Sequence, residues 1–447
     1  MMKLNFTAKI SNIFETAKYI STMEEWKIYR LGDVCLTNQN QYSPRENWHT
    51  IEYLDTGSIT RNAIESTQTI TAAEELPSRA RRKVQDLDIV YSTVRPNQCH
   101  YGLLRNPAHN LLVSTGFVVF TVNQSIANPY YVFYYLTQDS ITTALQAIAE
   151  QSVSAYPSLK PADIEDIKIE LPPLEVQNRI ADILSSIDNK IELNTRINHN
   201  LEEQAQALYK SWFVDFEPFR GGNFVDSELG LIPEGWRVGC YNDIISSTVS
   251  GDWGKDREVG NYTHKVSCIR GCDFADVSSG IRGKTPERFI LEKNFKNKRL
   301  LDKDIVVEIS GGTPTVSTGR ICLVSDNLLD KYSGNIVCTN FCRVIRPCSG
   351  YSSYVFYSWL DKYKSRVMFG YENGTSGIKN FQISDFMEKE PVIIPPQTVI
   401  AKFQTIVEFY QAVIQRNGNE RMECETVRDT LLPKLMSGEL KINDLTC

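Results

Sequence analysis

The sequence lacks several features that would assign the protein to a large class. Its 447 residues contain no apolar run approaching the ~18–20 residues that a membrane-spanning helix needs. Residues 1–22 form no signal-peptide core, because polar residues interrupt their apolar positions. Positive charge is not in excess, since the formal net charge is -6. Any nucleic-acid site is therefore expected to be a local basic patch on an acidic protein.

Catalytic and metal-binding residues are also few or badly spaced. The five histidines are scattered, so no nucleophile–base pair can be argued from their spacing. Cys338, Cys342 and Cys348 lack the paired C-x-x-C spacing of a zinc site, and we interpret them as small buried thiols. Eleven cysteines, an odd number in a long chain, are typical of a reducing compartment. We therefore expect free thiols, no metal and a cytoplasmic location.

Two segments resemble cofactor-binding motifs without completing them. Gly283-Lys284-Thr285 resembles a phosphate-binding loop, but Ser278 stands where the first glycine is required. Asn128-Pro129-Tyr130-Tyr131 resembles the catalytic motif of amino-methyltransferases, but it lacks the second proline. We interpret this second segment as the start of a helix. The chain is accordingly predicted to be non-catalytic and to bind no cofactor of its own.

What the sequence does contain is an internal repeat. Hydrophobic residues make up 42% and charged residues 23%, which predicts a globular protein, and the length predicts at least two domains. Short motifs of the first half recur in the same order in the second, which favours duplication over chance similarity. The matching pairs are Glu25-Trp26-Lys27 with Gly235-Trp236-Arg237, Asp88-Ile89-Val90 with Asp304-Ile305-Val306, Tyr131-Val132-Phe133-Tyr134 with Tyr354-Val355-Phe356-Tyr357, and Pro172-Pro173 with Pro395-Pro396.

Each half begins with short alternating runs typical of strands and ends in a long heptad pattern. The predicted fold is α+β, with two mixed α/β globular domains, an internal pseudo-two-fold repeat and two long antiparallel coiled-coil-like helices. Short helices are expected near residues 130–137 and 354–362. The predicted divisions are a leader (1–22), a first globular domain (23–171), a central helix (172–216), a linker (217–234), a second globular domain (235–394), a C-terminal helix (395–440) and a tail (441–447).

The heptads place an asparagine at the same point of each long helix. Asn194 and Asn417 lie 223 residues apart, the spacing that also separates Pro172 from Pro395. A buried asparagine costs stability but fixes register, because its amide needs a partner. We therefore expect Asn194 and Asn417 to lie side by side at the helix crossing; the alternative is that each faces solvent. The predicted seams are Ile180, Ile187, Asn194, Leu201 and Leu208 with Ile183, Lys190, Ile197, Gln204 and Ser211, and Phe403, Tyr410, Asn417, Cys424 and Leu431 with Ile406, Val413, Glu420 and Val427. In the first helix a flanking stripe adds Leu184, Ile191, Ala205 and Trp212.

Four motifs stand at the ends of the two halves. They are Leu171-Pro172-Pro173-Leu174-Glu175-Val176-Gln177, the segment 208–219, Leu229-Gly230-Leu231-Ile232-Pro233-Glu234-Gly235-Trp236 and the segment 432–440. Together with the repeat, these motifs closely resemble the specificity subunit of type I restriction–modification enzymes. The resemblance covers Glu24 to Leu440, and Met23-Glu24-Glu25-Trp26 looks like a family start, which leaves the status of residues 1–22 open. One departure is Ile394-Pro395-Pro396-Gln397-Thr398-Val399, which lacks the Glu-x-Gln of the first half.

The resemblance implies a DNA-recognition subunit with two target-recognition domains, at 23–171 and 235–394. Each domain would recognise one half of a gapped site in double-stranded DNA. The helices, each about 60 Å long at ~1.5 Å per residue, would set the gap and dock methyltransferase subunits that methylate adenine. Motor-nuclease subunits would complete the complex. S-adenosylmethionine, ATP and Mg2+ would then belong to the partner subunits.

Candidate DNA contacts are basic and polar residues on loops, because Lys and Arg bind phosphates while Arg, Asn, Ser and Thr also contact bases. For any single one of these residues, a solvated surface role is the alternative. The candidates are Arg79, Arg81, Arg82, Lys83, Ser92, Thr93, Arg95, Asn97, Tyr156 and Lys160 in the first half, and Lys284, Arg288, Lys298, Arg299, Thr313, Arg320, Lys379 and Asn380 in the second.

An aromatic run follows the central heptads and is the candidate surface for docking the methyltransferase subunits. The alternative is that these rings pack within the chain. The run consists of Trp212, Phe213, Phe216 and Phe219.

Overall fold

A computed structural model of the chain describes residues 26–440 except 47, 72–73, 153–155, 314 and 375–377. The leader 1–22 and the tail 441–447 therefore lie outside the described residues. The chain divides into two units. Unit 1 comprises the described residues up to 189 and from 425 onward, and unit 2 comprises Lys190–Cys424. Each long helix contributes one segment to each unit.

Helices and strands are mixed in both units, as the predicted α+β class requires. Among the described residues, no helix is both long and apolar enough to cross a membrane. The α-helices are Leu31–Val34, Pro129–Leu136, Asp139–Glu150, Pro161–Glu165, Leu174–Phe213, Phe274–Ser278, Glu292–Lys298, Asp326–Lys331, Ser352–Lys364, Ile383–Lys389 and Gln397–Met436.

The strands are numbered in chain order. They are β1 (Lys27–Arg30), β2 (Cys35–Thr37), β3 (Thr50–Leu54), β4 (Ile59–Thr60), β5 (Ala63–Ile64), β6 (Gln68–Thr71), β7 (Ala80–Lys83), β8 (Ile89–Ser92), β9 (Tyr101–Leu103), β10 (Leu111–Ser114), β11 (Phe117–Val122), β12 (Lys168–Leu171), β13 (Phe224–Ser227), β14 (Gly230–Pro233), β15 (Arg237–Cys240), β16 (Ile245–Ser250), β17 (Tyr262–Ile269), β18 (Glu287–Leu291), β19 (Ile305–Glu308), β20 (Ser310–Gly311), β21 (Ile321–Leu323), β22 (Ile336–Cys338), β23 (Cys342–Pro347), β24 (Glu372–Asn373), β25 (Lys379–Phe381) and β26 (Pro391–Ile394).

Unit 1 is built on an antiparallel sheet of order β2-β11-β8-β9 that is buried on both faces. Side chains alternate across a strand, so Ile89 and Tyr91 pack towards the helices while Val90 packs with residues of the second sheet. That second sheet has the order β6-β3-β10-β7, with β10 parallel to β3. Burial on both faces explains why β8 and β11 are nearly continuous apolar runs. β1 pairs with β12 at the end of the domain.

Unit 2 has the same strand order in its main sheet, β16-β23-β19-β21. β22 lies parallel to β17, as β10 does to β3, and β15 pairs with β26 as β1 does with β12. Even the turns agree: the carboxylates of Asp88 and Asp304 each accept the amide three residues earlier, both at 2.9 Å. Leu87 and Lys303, one residue before them, both have positive φ angles, at 64° and 67°. Unit 2 adds the hairpin β13–β14 and a small sheet, β20-β25-β24.

The short helices begin where the sequence predicts them. Asn128 is the N-cap of Pro129–Leu136, and its side-chain oxygen accepts the amides of Tyr130 (2.8 Å) and Tyr131 (3.2 Å). The proline occupies the first turn, where it loses no hydrogen bond. The interpretation of this segment as a helix start is confirmed. Its counterpart in unit 2 is the helix Ser352–Lys364.

The two long helices, Leu174–Phe213 and Gln397–Met436, have 40 residues each, and within unit 2 they run antiparallel. In unit 1, Asp188 forms an ion pair with Arg428 at 3.0 Å. In unit 2, Asn198 donates to the carbonyl of Ile414 at 3.1 Å, and further along Tyr209 contacts Phe403 ring to ring. In unit 2 the residue numbers rise on one helix as they fall on the other, which defines the antiparallel direction there.

The buried stripe of each long helix differs in part from the predicted seam. The first series, which contains Ile180 and Asn194, is buried or half-buried, but the positions three residues further on are less buried, and Ile197 is exposed. The second buried row lies four residues after the first, and it includes Leu184 and Ala205 of the predicted flanking stripe together with Asn198, which was not predicted. A helical side chain points back over the turn N-terminal to its own Cα. A small rotation of one helix about its axis therefore decides which of two neighbouring rows of side chains its partner buries. The second helix shows the same displacement.

Asn194 and Asn417 are buried and in contact, but their amides do not pair with each other. The Asn194 amide donates to the backbone carbonyl of Asn417 (3.4 Å) and to the carboxylate of Glu420 (3.1 Å). The Asn417 amide donates to the side-chain oxygen of Asn198 at 2.9 Å. The expected adjacency is found, and the solvent-facing alternative is excluded for this structure. Asn198, which satisfies the Asn417 amide, was not identified from the sequence.

Asn198, Gln415 and Lys331 bind the segment 277–280 of unit 2, where the helix Phe274–Ser278 ends, and we call this segment the 277–280 loop. The Asn198 amide donates to the carbonyl of Ser279 at 3.1 Å, and the Gln415 amide donates to that of Val277 at 3.5 Å. Lys331 donates to the carbonyl of Gly280 (2.6 Å) and to the side chain of Gln415 (3.0 Å). Burial lowers the pKa of Lys331 to about 8. Three side chains therefore donate to three carbonyls of the loop, so apolar packing alone does not fix it.

Two glycines allow this close approach. A Cβ on Gly418, in the middle of the second long helix, would lie 2.1 Å from the carbonyl oxygen of Gly280. A Cβ on Gly280, whose φ is +81°, would lie 2.5 Å from the carbonyl oxygen of Ile414. Both obstacles are backbone atoms, so neither can move aside without displacing the loop or the helix.

We predict that Gly418→Ala lowers the free energy of unfolding by about 1–3 kcal/mol, because the added methyl group overpacks the contact with the loop. In an unobstructed helix the same change would stabilise by about 1 kcal/mol. Urea denaturation of the purified chain measures the difference. The matched control is Gly370→Ala, whose Cβ would meet nothing within 4 Å. A variant as stable as the wild type would show that the loop is not seated on the helix.

Candidate nucleic-acid interface

In unit 1 the structure joins two loops that the sequence predicted separately. Leu159 donates its amide to the carbonyl of Thr93 (2.8 Å), and Arg95 donates its amide to that of Pro157 (3.0 Å). An isolated β-bridge between Val94 and Ser158 completes the junction. The polar loop after β8 and the loop before the helix Pro161–Glu165 thus form one surface.

Arg79 reaches the same surface through the turn between β10 and β11. Its carbonyl accepts the amide of Thr115 at 2.9 Å. The next residue, Gly116, accepts both the amide and the hydroxyl of Thr93, each at 2.9 Å. Three candidate segments of the first half therefore meet at one place. We call it the unit 1 edge, and it consists of Arg79, Thr93, Arg95, Asn97, Tyr156 and Lys160.

Arg95 and Tyr156 form an exposed pair at the unit 1 edge. The guanidinium of Arg95 lies 5.2 Å from the centroid of the Tyr156 ring, and the tyrosine is 59% exposed. Such a cation–π contact contributes about 0.5–1 kcal/mol at an exposed site. It also limits the directions in which the guanidinium can point. The hydrogen-bonding groups of Arg95 remain able to bind a phosphate or a base edge.

The remaining candidates of the first half are occupied by contacts within the chain. Arg82 donates to the side chain of Asn38 and to the carbonyl of Phe117, and burial lowers the pKa of its guanidinium. Lys83 pairs with Glu46, and the buried hydroxyl of Ser92 bonds to the backbone of residue 94. Arg81 donates to the carbonyl of the preceding residue at 3.2 Å. The prediction that residues 79–83 act as one basic cluster is corrected, because a strand turns alternate side chains to opposite faces.

In unit 2 the corresponding loops are joined through a small sheet. β20 pairs with β25, so that Ser310 lies opposite Asn380 and Gly311 opposite Lys379. The hydroxyl of Ser310 donates to the Asn380 side chain at 2.6 Å. Thr313 is exposed just beyond β20, where its hydroxyl oxygen accepts the amide of Val316 at 3.0 Å. We call Ser310, Thr313, Lys379 and Asn380 the unit 2 edge.

Lys379 is held in place at this edge rather than freely extended. Its ammonium lies 2.8 Å from the carboxylate of Glu372 and 4.7 Å from the centroid of the Phe369 ring. Glu372 also accepts the hydroxyl of Thr318 at 2.8 Å. The position of the ammonium is thereby defined from two sides, while about a quarter of its side chain stays accessible, 28% by relative area.

The other candidates of the second half are not brought to this edge by any contact described. Arg320 forms two hydrogen bonds with Glu308, which raise the pKa of the guanidinium. Arg288 lies 3.9 Å from the Trp253 ring centroid and pairs with Asp256, and Lys298 donates to the carbonyl of residue 251 at 2.9 Å. These three therefore have partners within the chain, and their contact with DNA stays a prediction. Lys284 and Arg299, the last two candidates, have exposed side chains.

Sequence reasoning missed an exposed arginine close to the unit 1 edge. Arg61 has a positive φ of 47°, and its amide donates to the carbonyl of Cys99 at 2.8 Å, directly after the loop that carries Asn97. Arg61-Asn62 follows β4 as a tight turn, but nothing in the sequence indicates which loop that turn approaches. Pairing of this kind depends on tertiary structure and leaves no local pattern.

The aromatic run proposed for docking packs inside unit 2. The Phe213 ring is fully buried, with ring centroids of Phe403 and Tyr354 both 5.0 Å away. Phe216 and Phe219 contact the ring of Trp236 at 5.5 and 5.0 Å, and Trp212 contacts Phe219 at 6.3 Å. The alternative of packing within the chain therefore describes this run, and Phe213 offers no surface to a partner.

Within the described residues the ten cysteines form no disulfide, and no three metal-ligating side chains form a group. What the two edges present is chemistry for binding: guanidinium and ammonium groups, amides, hydroxyls and one stacked aromatic ring. These groups suit contacts to phosphates and base edges.

Comparison with known proteins gives a consistent result. A family model described as type I restriction modification DNA specificity domain matches residues 23–203. The type I restriction enzyme MjaIX specificity subunit of Methanocaldococcus jannaschii is 30% identical over 322 residues, which cover 70% of each chain. The HindI specificity subunit of Haemophilus influenzae is 26% identical over 463 residues, covering 94% of this chain and all of its own.

Among solved structures, the S subunit of a type I restriction-modification system from M. genitalium is similar in fold. The TM-score is 0.53 at 14% sequence identity. The similarity covers 96% of this chain and 100% of the other.

We predict that Phe213→Ala lowers the free energy of unfolding by about 3–5 kcal/mol, because a buried aromatic ring is lost from a packed cluster. Val214→Ala, at the exposed next position, is the control and should change stability by less than about 0.5 kcal/mol. Both are measured by urea denaturation. Unchanged stability, with loss of a co-purifying methyltransferase subunit, would restore the original docking prediction.

Proposed function

The chain belongs to the specificity subunits of type I restriction enzymes, and on that premise we propose that its two units recognise the two halves of one gapped site in double-stranded DNA. Proteins of this family are non-catalytic, and methyl transfer and cleavage lie in partner subunits. This chain would therefore supply sequence recognition. S-adenosylmethionine, ATP and Mg2+ would be bound by its partners.

One observation carries this proposal: both units bring the same two loops together. In unit 1 the loop after β8 bonds to the loop before the helix Pro161–Glu165, and in unit 2 the segment after β19 pairs with β25. The two sheets have the same strand order. This agreement supports descent from one duplicated unit, with the edge of each unit used for the same purpose.

The two edges differ in chemistry, which favours two different half-sites. The unit 1 edge presents the guanidiniums of Arg79 and Arg95, which suit phosphates or the paired acceptors of a guanine. The unit 2 edge presents Thr313 and Asn380, whose hydroxyl and amide suit adenine or mixed contacts. Lys379 adds a single ammonium beside them. A structural protein with no nucleic-acid role would give no reason for such divergent edges on matching scaffolds.

The long helices are proposed to act as a coiled-coil-like spacer related by a pseudo-two-fold axis, which sets the gap in the DNA site. Their antiparallel direction within unit 2 and the buried contact between Asn194 and Asn417 support this role. A shift of one heptad would change the spacing by about 10 Å at ~1.5 Å per residue. The DNA gap would then no longer match.

Methyltransferase subunits are proposed to dock on apolar side chains that the chain leaves exposed near the helices. Leu229 and Leu231 are exposed on the β13–β14 hairpin, and Leu193 is exposed on the first long helix. Motor-nuclease subunits would join through the assembled complex. The hairpin joins Trp212, Phe216 and Phe219 of the aromatic run as a docking candidate, because these three rings stay partly exposed while Phe213 is buried.

We predict that the double variant Arg79→Ala/Arg95→Ala, assembled with its methyltransferase subunits, binds target DNA about tenfold or more weakly. The slope of log affinity against log salt should fall by about one to two, because fewer counterions are released. Fluorescence anisotropy at several salt concentrations measures both. Lys168→Ala, an exposed position on β12, removes a positive charge away from the edge and should change neither. An unchanged slope would show that the unit 1 edge does not contact the DNA.

We further predict that Asn194→Leu/Asn417→Leu keeps the fold but weakens discrimination between gap lengths. Without buried amides that need partners, alternative helix registers differ less in free energy. Methylation by the complex is compared on duplexes whose gap is correct, one base pair shorter or one longer. Asn200→Leu, an exposed position on the same helix, serves as the control. If the double variant and the wild type discriminated equally between gap lengths, these amides would not set the gap.

A further inference from the structure

A phenylalanine projects from a rigid turn beside the unit 2 edge. Phe341 is 60% exposed, although large aromatic side chains are usually buried. Its backbone is fixed on both sides: its amide donates to the hydroxyl of Thr339 (3.2 Å), and its carbonyl accepts the amides of Ile309 (2.8 Å) and Ser310 (3.3 Å). The amide of Cys342 closes the turn onto the carbonyl of Thr339 at 3.0 Å. These hydrogen bonds fix the backbone of the turn, so the ring stays exposed to solvent.

The turn is directly continuous with the polar residues of the edge. Ser310, which donates to the Phe341 carbonyl, also bonds through its hydroxyl to Asn380. Thr313 follows three residues later, and Lys379 is the neighbour of Asn380 on β25. The exposed ring therefore adjoins hydroxyl, amide and ammonium groups, which is the usual mixture on a surface that contacts base edges.

Unit 1 has no side chain at the equivalent position. Phe117 pairs with Ser92 in the unit 1 sheet, and Cys342 pairs with Glu308 in the unit 2 sheet. Gly116 precedes Phe117, and Phe341 precedes Cys342. The Gly116 carbonyl accepts the amide of Thr93, the first residue after β8, and the Phe341 carbonyl accepts the amide of Ile309, the first residue after β19. The same turn thus carries a hydrogen atom in one unit and a phenyl ring in the other. A purely structural need for the ring would apply to both.

We propose that Phe341 contacts the 5-methyl group of a thymine in the major groove of the half-site bound by unit 2. This rests on the proposed function, because it assumes that the unit 2 edge faces DNA. A thymine methyl is the one apolar group that distinguishes base pairs in the major groove, and aromatic side chains are among its partners. The adjacent Asn380 and Thr313 suit the polar edges of the same or neighbouring bases. Unit 1, with Gly116 at this position, makes no such contact.

The test uses the full chain assembled with its methyltransferase subunits and a duplex carrying its own target site, identified by methylome sequencing. Each thymine of the half-sites is replaced in turn by deoxyuridine, which removes only the methyl group. We expect about fourfold weaker binding at one thymine of the unit 2 half-site, the size expected for burying one methyl group. Phe341→Ala should lose this difference at that position, and Phe341→Leu should keep part of it.

The matched control is Phe409→Ala, because Phe409 is 65% exposed on the second long helix and lies outside the edge. It should retain the uracil effect. The proposal would be overturned by a unit 2 half-site without thymine, or by equal binding of the wild type to the thymine and deoxyuridine duplexes. It would also be overturned if Phe341→Ala kept the full preference for thymine, either with unchanged affinity or with an affinity lowered equally for the thymine and deoxyuridine duplexes. The last would indicate insertion between bases or a structural role.

A second double variant separates this proposal from the proposed function. Lys379→Ala/Asn380→Ala should weaken binding wherever the unit 2 edge faces DNA. Normal binding by that variant would overturn the assignment of the edge itself. Weakened binding by that variant, together with no change in Phe341→Ala, would overturn only the thymine contact.

Discussion

The structure of unit 2 depends on a small set of buried amides that must all be satisfied. Asn417 needs Asn198, and Asn198 needs the carbonyls of Ser279 and Ile414. An unpaired buried amide costs about 1–3 kcal/mol, so the three bonds are strongly coupled. Helix register and the seat of the 277–280 loop are therefore not independent. A helix that slipped along its partner would also release the globular part of the unit.

The second organising feature is a sheet buried on both faces. Because β8 and β19 contact apolar side chains above and below, their sequences are constrained at every position, and the two units keep one topology. The loops at the ends of these strands carry no such constraint. Unit 1 uses an arginine stacked on a tyrosine, while unit 2 uses a small extra sheet. Conserving the strands while varying the loops allows one architecture to present two chemistries.

The sequence predicted the elements that repeat locally and failed where tertiary contacts decide. Heptads and double prolines indicated both long helices, and Asn128 was correctly interpreted as a cap, because these signals lie within one or two turns. The arginine at position 82 was misassigned, since the strand alternation that turns it inward is hidden in a run of basic residues. Asn198 was overlooked because a polar residue breaks an apolar pattern, and only its partners explain its burial. Phe213 looked like a surface for docking until the rings around it were known.

Lys331, which binds the 277–280 loop, has an unusually low pKa that makes its amine chemically distinct. With a pKa of about 8, about one molecule in ten carries a neutral amine there at pH 7, against fewer than about one in a thousand for an ordinary lysine. A neutral amine is the nucleophilic form, and this one is committed to the carbonyl of Gly280 and the side chain of Gln415. Its rate of acylation, compared with that of the other lysines, therefore reports how often the loop leaves the helix. The amine of Lys331 is thus an internal chemical probe of the contact between the 277–280 loop and the long helix.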